Sequence, residues 1–158
     1  MPHDLPAAAR AITRATVEAV DAARAGDLEA FTRATTDLAA CEPEQVRLAL
    51  GVVVRDLLEH LHPDGLAADD LQDLIRSCVK RVFAWYPQVD VNALVIVITG
   101  ALGMQEEEEP RYSPANIARH APLFIAELLS QPRPTLSIQQ YLTAAFQQIR
   151  TAELHEMP

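Results

Sequence analysis

The chain has 158 residues, of which 49% are hydrophobic and 5% aromatic, and its formal net charge is −9 at pH 7. This length predicts one domain over residues 1–158, large enough to fold around its own core without disulfides or metal ions. The negative charge disfavours nucleic acids and anionic membranes as partners, because both are bound mainly through basic residues.

The first half of the chain shows apolar residues at helical spacing. They predict helices over about 5–25, from Asp27 onward, over about 43–62 and over about 67–85. Gly26 suits the position that ends the first helix, and Asp27 suits the N-cap of the second. The fourth helix has aspartates near its start and basic residues near its end, which is the arrangement that the helix dipole favours.

The stretch NALVIVITGALG at 92–103 has two interpretations. Its β-branched residues are dense between Val95 and Thr99, and TGALG is similar to the glycine motif of short-chain dehydrogenases, which implies a strand followed by a phosphate-binding turn. The third glycine of that motif is absent, however, and no other segment has the pattern of a strand that would pair with it. We therefore predict a very apolar central helix over about 91–103, with Gly100 facing a neighbouring helix.

The last third of the chain completes the predicted fold. Four adjacent glutamates within 105–112 predict an acidic exposed loop, because like charges repel and cannot pack together. The serine-proline pair at 113–114 begins a sixth helix, in which Pro122 should produce a kink or separate the first turn. Ser137 caps a last helix, and 151–158 is predicted to be a frayed tail. The sequence thus predicts an all-α fold, a single-domain bundle of six or seven helices.

Motifs for metal binding or catalysis are few. Glu59 and His62 match one E-x-x-H half-site of the ferritin-like carboxylate proteins, which need two such motifs and two further glutamates. No second E-x-x-H exists in the sequence, so we expect no metal and no cofactor. Cys78 and His120 have the residue types of a nucleophile and a base, but Cys78 lies on an apolar helix stripe, where an inert buried thiol is expected. Cys41 and Cys78 are expected to be reduced, although a disulfide between them stays an alternative.

Three pairs of adjacent residues carry the side chains best suited to contact a ligand or a partner. The first pair joins two large aromatic rings before a proline and can close one end of the bundle, line a pocket or anchor an interface. The other two pairs flank the start of the sixth helix. They can bind a carboxylate or an acidic peptide, or can form solvated surface. These pairs are Trp85 and Tyr86, Arg111 and Tyr112, and Arg119 and His120.

The expected function is non-enzymatic. The pattern favours a cytoplasmic protein-interaction or regulatory module that acts through helix surfaces and binds a second copy or another protein, with no nucleic acid or membrane as a partner. The first two helices are rich in Ala and Thr and cover the core poorly, so a second protomer is expected there or beside Trp85 and Tyr86. We expect no signal peptide, because no charged segment followed by an apolar one begins the sequence, and no membrane span, because the longest apolar run is too short to cross a bilayer.

The alternative function is a small apolar-ligand-binding helical domain. Such a domain would be similar to the ligand-sensing half of a TetR-type regulator but without a DNA-binding part, because no helix-turn-helix precedes it. An enzyme is the third possibility. An apolar pocket within one protomer favours a ligand, whereas an exposed apolar surface favours a partner.

Overall fold

The computed structural model describes residues 5–104 and 113–156, and this part of the chain folds into seven α-helices without a strand. The predicted all-α bundle is therefore confirmed. The predicted acidic loop at 105–112 lies outside the described residues. In chain order the helices are α1 (Ala7–Ala25), α2 (Leu28–Ala39), α3 (Pro43–Leu61), α4 (Ala68–Val82), α5 (Val91–Ala101), α6 (Pro114–Leu129) and α7 (Ile138–Glu156).

Capping residues set the helix boundaries at the predicted positions. Gly26 ends α1 with a φ of 67°, a left-handed conformation that glycine adopts without a steric penalty. The carboxylate of Asp27 accepts a hydrogen bond from the Ala30 N–H at 3.1 Å and begins α2. Ser113 and Ser137 cap α6 and α7 in the same way, each through its hydroxyl oxygen.

The central helix of the bundle is α6, a position that the sequence had assigned to 91–103. α6 packs against α1, α2, α3, α4 and α5, and eleven of its sixteen residues are buried. α5 is helical as predicted, but it buries four of its eleven residues and leaves Val91 and Val95 exposed. A dense apolar run indicates that a helix is buried on one side at least, and it does not report how many neighbours surround that helix.

Small residues allow α3 and α5 to approach each other. Gly100, predicted to face another helix, is half-buried and lines a small cavity between α3, α5 and α6. On the α3 side, a Cβ atom added to Gly51 would lie 3.9 Å from the Cα of Ala101, which is an ordinary van der Waals distance. The crossing therefore involves glycines on both helices.

Pro122 lies inside α6 without dividing it. The helix is continuous from Pro114 to Leu129, and Pro122 is itself buried. The predicted separation of the first turn is thus not observed. A proline removes one backbone hydrogen bond and crowds the preceding turn, and packing against five neighbouring helices holds the segment in helical form despite this cost.

α7 is the least covered of the three 19-residue helices. It packs on α3 and α1, and its four buried residues all lie in its first half: Ile138, Tyr141, Leu142 and Ala145. The predicted frayed tail begins at residue 151, but the structure continues α7 to Glu156 with every residue of 151–156 exposed. The helical backbone of 151–156 thus differs from the predicted fraying, and 157–158 lie outside the described residues.

Candidate functional site: a groove between α1, α3 and α7

Trp85 and Tyr86 belong to an aromatic cluster around Phe31. Because α4 ends at Val82, earlier than predicted, both rings lie in the turn that follows it. The ring centroid of Phe31 is 5.2 Å from that of Trp85 and 5.3 Å from that of Tyr86, both in edge-to-face geometry. Trp85 also lies over Gly26, where an added Cβ would be 3.6 Å from the indole ring. This packing accounts for both rings as members of an aromatic cluster, and their role in binding stays a prediction.

His120 connects α6 to the start of α5. Its Nε2 accepts a hydrogen bond from the backbone N–H of Asp90 at 3.1 Å, and its Nδ1 donates one to the carbonyl oxygen of Asn116 at 2.9 Å. Both contacts fit one neutral tautomer, and burial lowers the pKa of His120 below its ordinary value of 6.5. Since both ring nitrogens are engaged, the imidazole is not available to a ligand.

Arg119 and His120, adjacent in sequence, do not form one site. Arg119 is exposed, whereas His120 beside it is buried. His120 instead contacts Tyr86 edge to face, with 6.4 Å between the ring centroids. Arg111 and Tyr112 lie outside the described residues.

Cys78 does not form a nucleophile–base pair with His120. Its thiol donates a hydrogen bond to the carbonyl oxygen of Leu123 at 3.7 Å. Burial, together with the nearby carboxylate of Glu127, raises the pKa of Cys78 to about 12. The thiol is therefore protonated at neutral pH and has little nucleophilic character. Cys41 and Cys78 are both free cysteines.

A buried carboxylate, Glu127, is the polar feature that the sequence analysis missed. It accepts hydrogen bonds from the Ser77 hydroxyl at 2.9 Å, from Arg81 Nε at 2.8 Å and from the Gln131 amide at 3.0 Å. The Glu127 side chain is 1% exposed and that of Arg81 59% exposed. The carboxylate is thus fully hydrogen-bonded and fastens α4 to α6. A single glutamate inside the apolar run LFIAELL was the available signal, because a buried charge requires a partner.

The histidines near the end of α3 have structural partners. His62 is the C-cap of α3, and its Nδ1 lies 3.8 Å from the Asp70 carboxylate. His60 forms a hydrogen bond with the Tyr141 hydroxyl at 2.7 Å, which connects α3 to α7. Within residues 5–104 and 113–156, no three His, Cys, Asp or Glu side chains come together in an arrangement that would hold a metal ion.

A groove of about 520 Å³ lies between the start of α1, the first half of α3 and residues 143–153 of α7. It adjoins α1, one of the two helices that the sequence predicted to cover the core poorly. The side chains at the start of α1 are small and do not fill the groove. Leu48 lies on the outer face of α3 and is 38% exposed. The apolar lining residues include Leu5, Ala8, Leu48, Phe146 and Ile149, and the polar ones include Gln45, Gln147, Arg150 and Glu153.

The groove is electrically balanced on a strongly acidic chain. Its charged lining residues are Arg150 and Glu153, one of each sign, whereas the whole chain carries −9. Both side chains are exposed, and neither forms an ion pair with any residue of its own chain in the part that the structure describes. The groove therefore offers apolar area together with one unpaired positive and one unpaired negative group.

Comparisons with known proteins give no relative from which a function can be taken. No family model, no curated protein and no solved structure matches the chain. Among the helices that the structure describes, none combines the length and the hydropathy needed to cross a membrane. Function has to be inferred from the groove and its chemistry.

Proposed function

We propose that the protein is a non-enzymatic binding module and that its groove between α1, α3 and α7 receives the apolar face of a helix. The form of the groove carries this proposal: it is an open trough lined by apolar residues from all three helices, with amide and charged side chains among them. Recognition of an amphipathic helix uses this combination of an apolar floor and polar neighbours.

The length of the groove favours a helix over a compact ligand. Its α7 lining extends from Thr143 to Glu153, which is roughly 15 Å at the rise of an α-helix, or about three turns. Small-molecule pockets usually enclose most of the ligand surface, and an open trough does not. The volume of about 520 Å³ nevertheless lies within the range of ligand sites, about 300–1,000 Å³, so a small apolar ligand is the second candidate.

The chemistry of the lining supports binding and not catalysis. The groove contains no histidine or cysteine and no pair of carboxylates among its described residues, so a general base beside a nucleophile is not available there. Its polar groups, such as Gln45 and Gln147, are suited to hydrogen bonding at the edge of an interface. Cytoplasmic location, and the exclusion of nucleic acids and membranes as partners, stay predictions that rest on the charge of −9 and the two free thiols.

Fluorescence of anilinonaphthalene sulfonate, a dye with apolar rings, tests whether the groove binds. The protein should bind the dye saturably, and Leu48→Glu should weaken binding about tenfold because the dye would then meet a charge on the groove wall. Phe83→Glu is the matched control, since Phe83 is 59% exposed and lies outside the groove lining. Equal losses in the two variants, or no saturable binding, would overturn the proposal.

Competition against the bound dye distinguishes the two candidate occupants. An amphipathic helical peptide of Leu, Ala and Gln should displace the dye, and a scrambled peptide of the same composition should not, because its apolar residues no longer share one face. Decanoic acid serves as the small apolar competitor. Displacement by decanoic acid but not by the amphipathic peptide would assign the groove to a small ligand.

A further inference from the structure

We infer that the helix that binds in the groove is the second half of α7 from another copy of this chain, in an antiparallel and two-fold symmetric dimer. The inference rests on the proposed function of the groove and names the partner. The observations that carry it are the free face of α7, the order of charges on that face and the charge of the whole chain.

The second half of α7 has few packing partners in its own chain: the Gln148 side chain forms hydrogen bonds with α3, and residues 150–156 are all exposed. The last buried residue of the helix is Ala145, and the helix continues to Glu156. Leu154 is 60% exposed within this segment. An isolated helical segment of this length is only marginally stable in water, because most helical stability in proteins comes from packing of an apolar face. Contact with a second molecule would supply that packing.

The charges on this face are self-complementary. Arg150 and Glu153 are three residues apart, so they lie on the same face of the helix, and both line the groove. Two antiparallel copies of α7 can be related by a two-fold axis level with the midpoint between Thr151 and Ala152. Arg150 of each copy then lies level with Glu153 of the other, and two reciprocal ion pairs form, as a two-fold contact requires.

The same register also suits the apolar side chains. It places the exposed Leu154 of each copy level with Ile149 of the other, at a groove whose apolar lining includes Ile149. In this one alignment, each charged side chain lies level with an opposite charge on the other copy. Each of the two apolar side chains lies level with an apolar residue.

Net charge favours this face for contact between identical molecules. Each chain carries −9, so two copies repel each other over most of their surfaces. The groove lining carries one positive and one negative side chain, so contact through it brings no excess of like charges together. A contact between single helices is small by the standard of stable dimers, so we expect a reversible dimer with a dissociation constant in the micromolar range.

Sedimentation velocity over about 1–200 µM tests the dimer with charge-reversal variants. Arg150→Glu and Glu153→Arg should each weaken self-association about tenfold or more, because each places like charges opposite one another twice. An equimolar mixture of the two variants should dimerise again, since every contact in the mixed dimer joins opposite charges. The double variant R150E/E153R should form a dimer by itself.

Controls and outcomes separate this inference from the proposed function. Arg133→Glu and Glu18→Arg make the same charge changes at exposed positions outside the groove lining and should leave association unchanged. A wild-type protein that is monomeric throughout, a mixture that does not recover, or a dimer broken by Trp85→Ala instead would overturn the inference. Dye and peptide binding to that same protein then decides independently whether the groove binds another helix.

Discussion

α6 and α7 are both long helices with apolar residues along most of their length, yet they lie in opposite environments. α6 buries eleven of its sixteen residues, and α7 buries four of its nineteen. Two polar residues of α6, His120 and Glu127, are buried and hydrogen-bonded, whereas Gln147 and Arg150 of α7 stay exposed. A continuous helix that contains a proline and a buried glutamate can thus hold the bundle together, while a longer helix without a proline can leave surface free.

Truncation of one phenylalanine in each helix should produce the largest contrast. Phe124 in α6 is fully buried, and Phe146 in α7 is half-buried beside the groove. Phe124→Ala should lower the free energy of unfolding by about 3–5 kcal/mol, because it removes packing and leaves a cavity. Phe146→Ala should cost about 1–2 kcal/mol, in line with its smaller buried area. Urea denaturation followed by circular dichroism measures both, and equal costs would remove the distinction between the helices.

Removal of one glutamate from each helix compares the stability contribution of a buried carboxylate with that of an exposed one. Glu127→Ala should destabilise the protein by about 2–4 kcal/mol, because it deletes three hydrogen bonds, two of which fasten α4 to α6. We expect no larger loss of stability, because Arg81 is exposed and water can solvate its guanidinium after the carboxylate is removed. Glu153→Ala is the matched control and should change stability by less than about 0.5 kcal/mol. A Glu127 variant as stable as the Glu153 variant would show that the network contributes little.

Acid should act on α6 through His120. Burial lowers the pKa of His120 in the folded protein below 6.5, so below that pH the unfolded chain binds a proton that the folded chain does not. The stability associated with neutral His120 is therefore complete above about pH 7 and is lost as the pH falls, by at most about 1.4 kcal/mol per pH unit. The melting temperature should fall between pH 7 and 5.

A variant pair assigns this pH dependence to its source. His120→Gln removes the titrating group and should flatten the decline of the melting temperature, while His155→Gln, at an exposed position of α7, should leave it unchanged. If the melting temperature of both variants declines with pH as in the unaltered protein, the pH dependence arises elsewhere. Acid then does not act by disrupting the hydrogen bond between His120 and Asp90.

The helices and their ends could be predicted because the signals for them are local. Gly26, Asp27, Ser113 and Ser137 mark helix boundaries through hydrogen bonds to residues a few positions away. The identity of the central helix could not be predicted in this way. Spacing of apolar residues shows which face of a helix is buried, but the number of helices around it depends on the tertiary arrangement.

The candidate site was predictable in part, for a related reason. Weak cover over α1 was visible in its small side chains, but the groove also needs Leu48 and Phe146, which are distant in sequence and meet only when three helices pack. Glu127 likewise finds Arg81 at a separation of 46 residues. Trp85 and Tyr86 were recognised as a cluster, and their partner Phe31 was not, because nothing in the local sequence connects α2 to that turn.

Hydrogen exchange measured at two protein concentrations tests most directly whether the second half of α7 is a binding surface. At about 1 µM, amides of α6 should exchange only through global unfolding, while amides of residues 147–156 should exchange with little protection. At about 200 µM, protection of 147–156 should rise because the second copy covers this segment, and protection of α6 should change little. Exchange of 147–156 that is the same at both concentrations would contradict it.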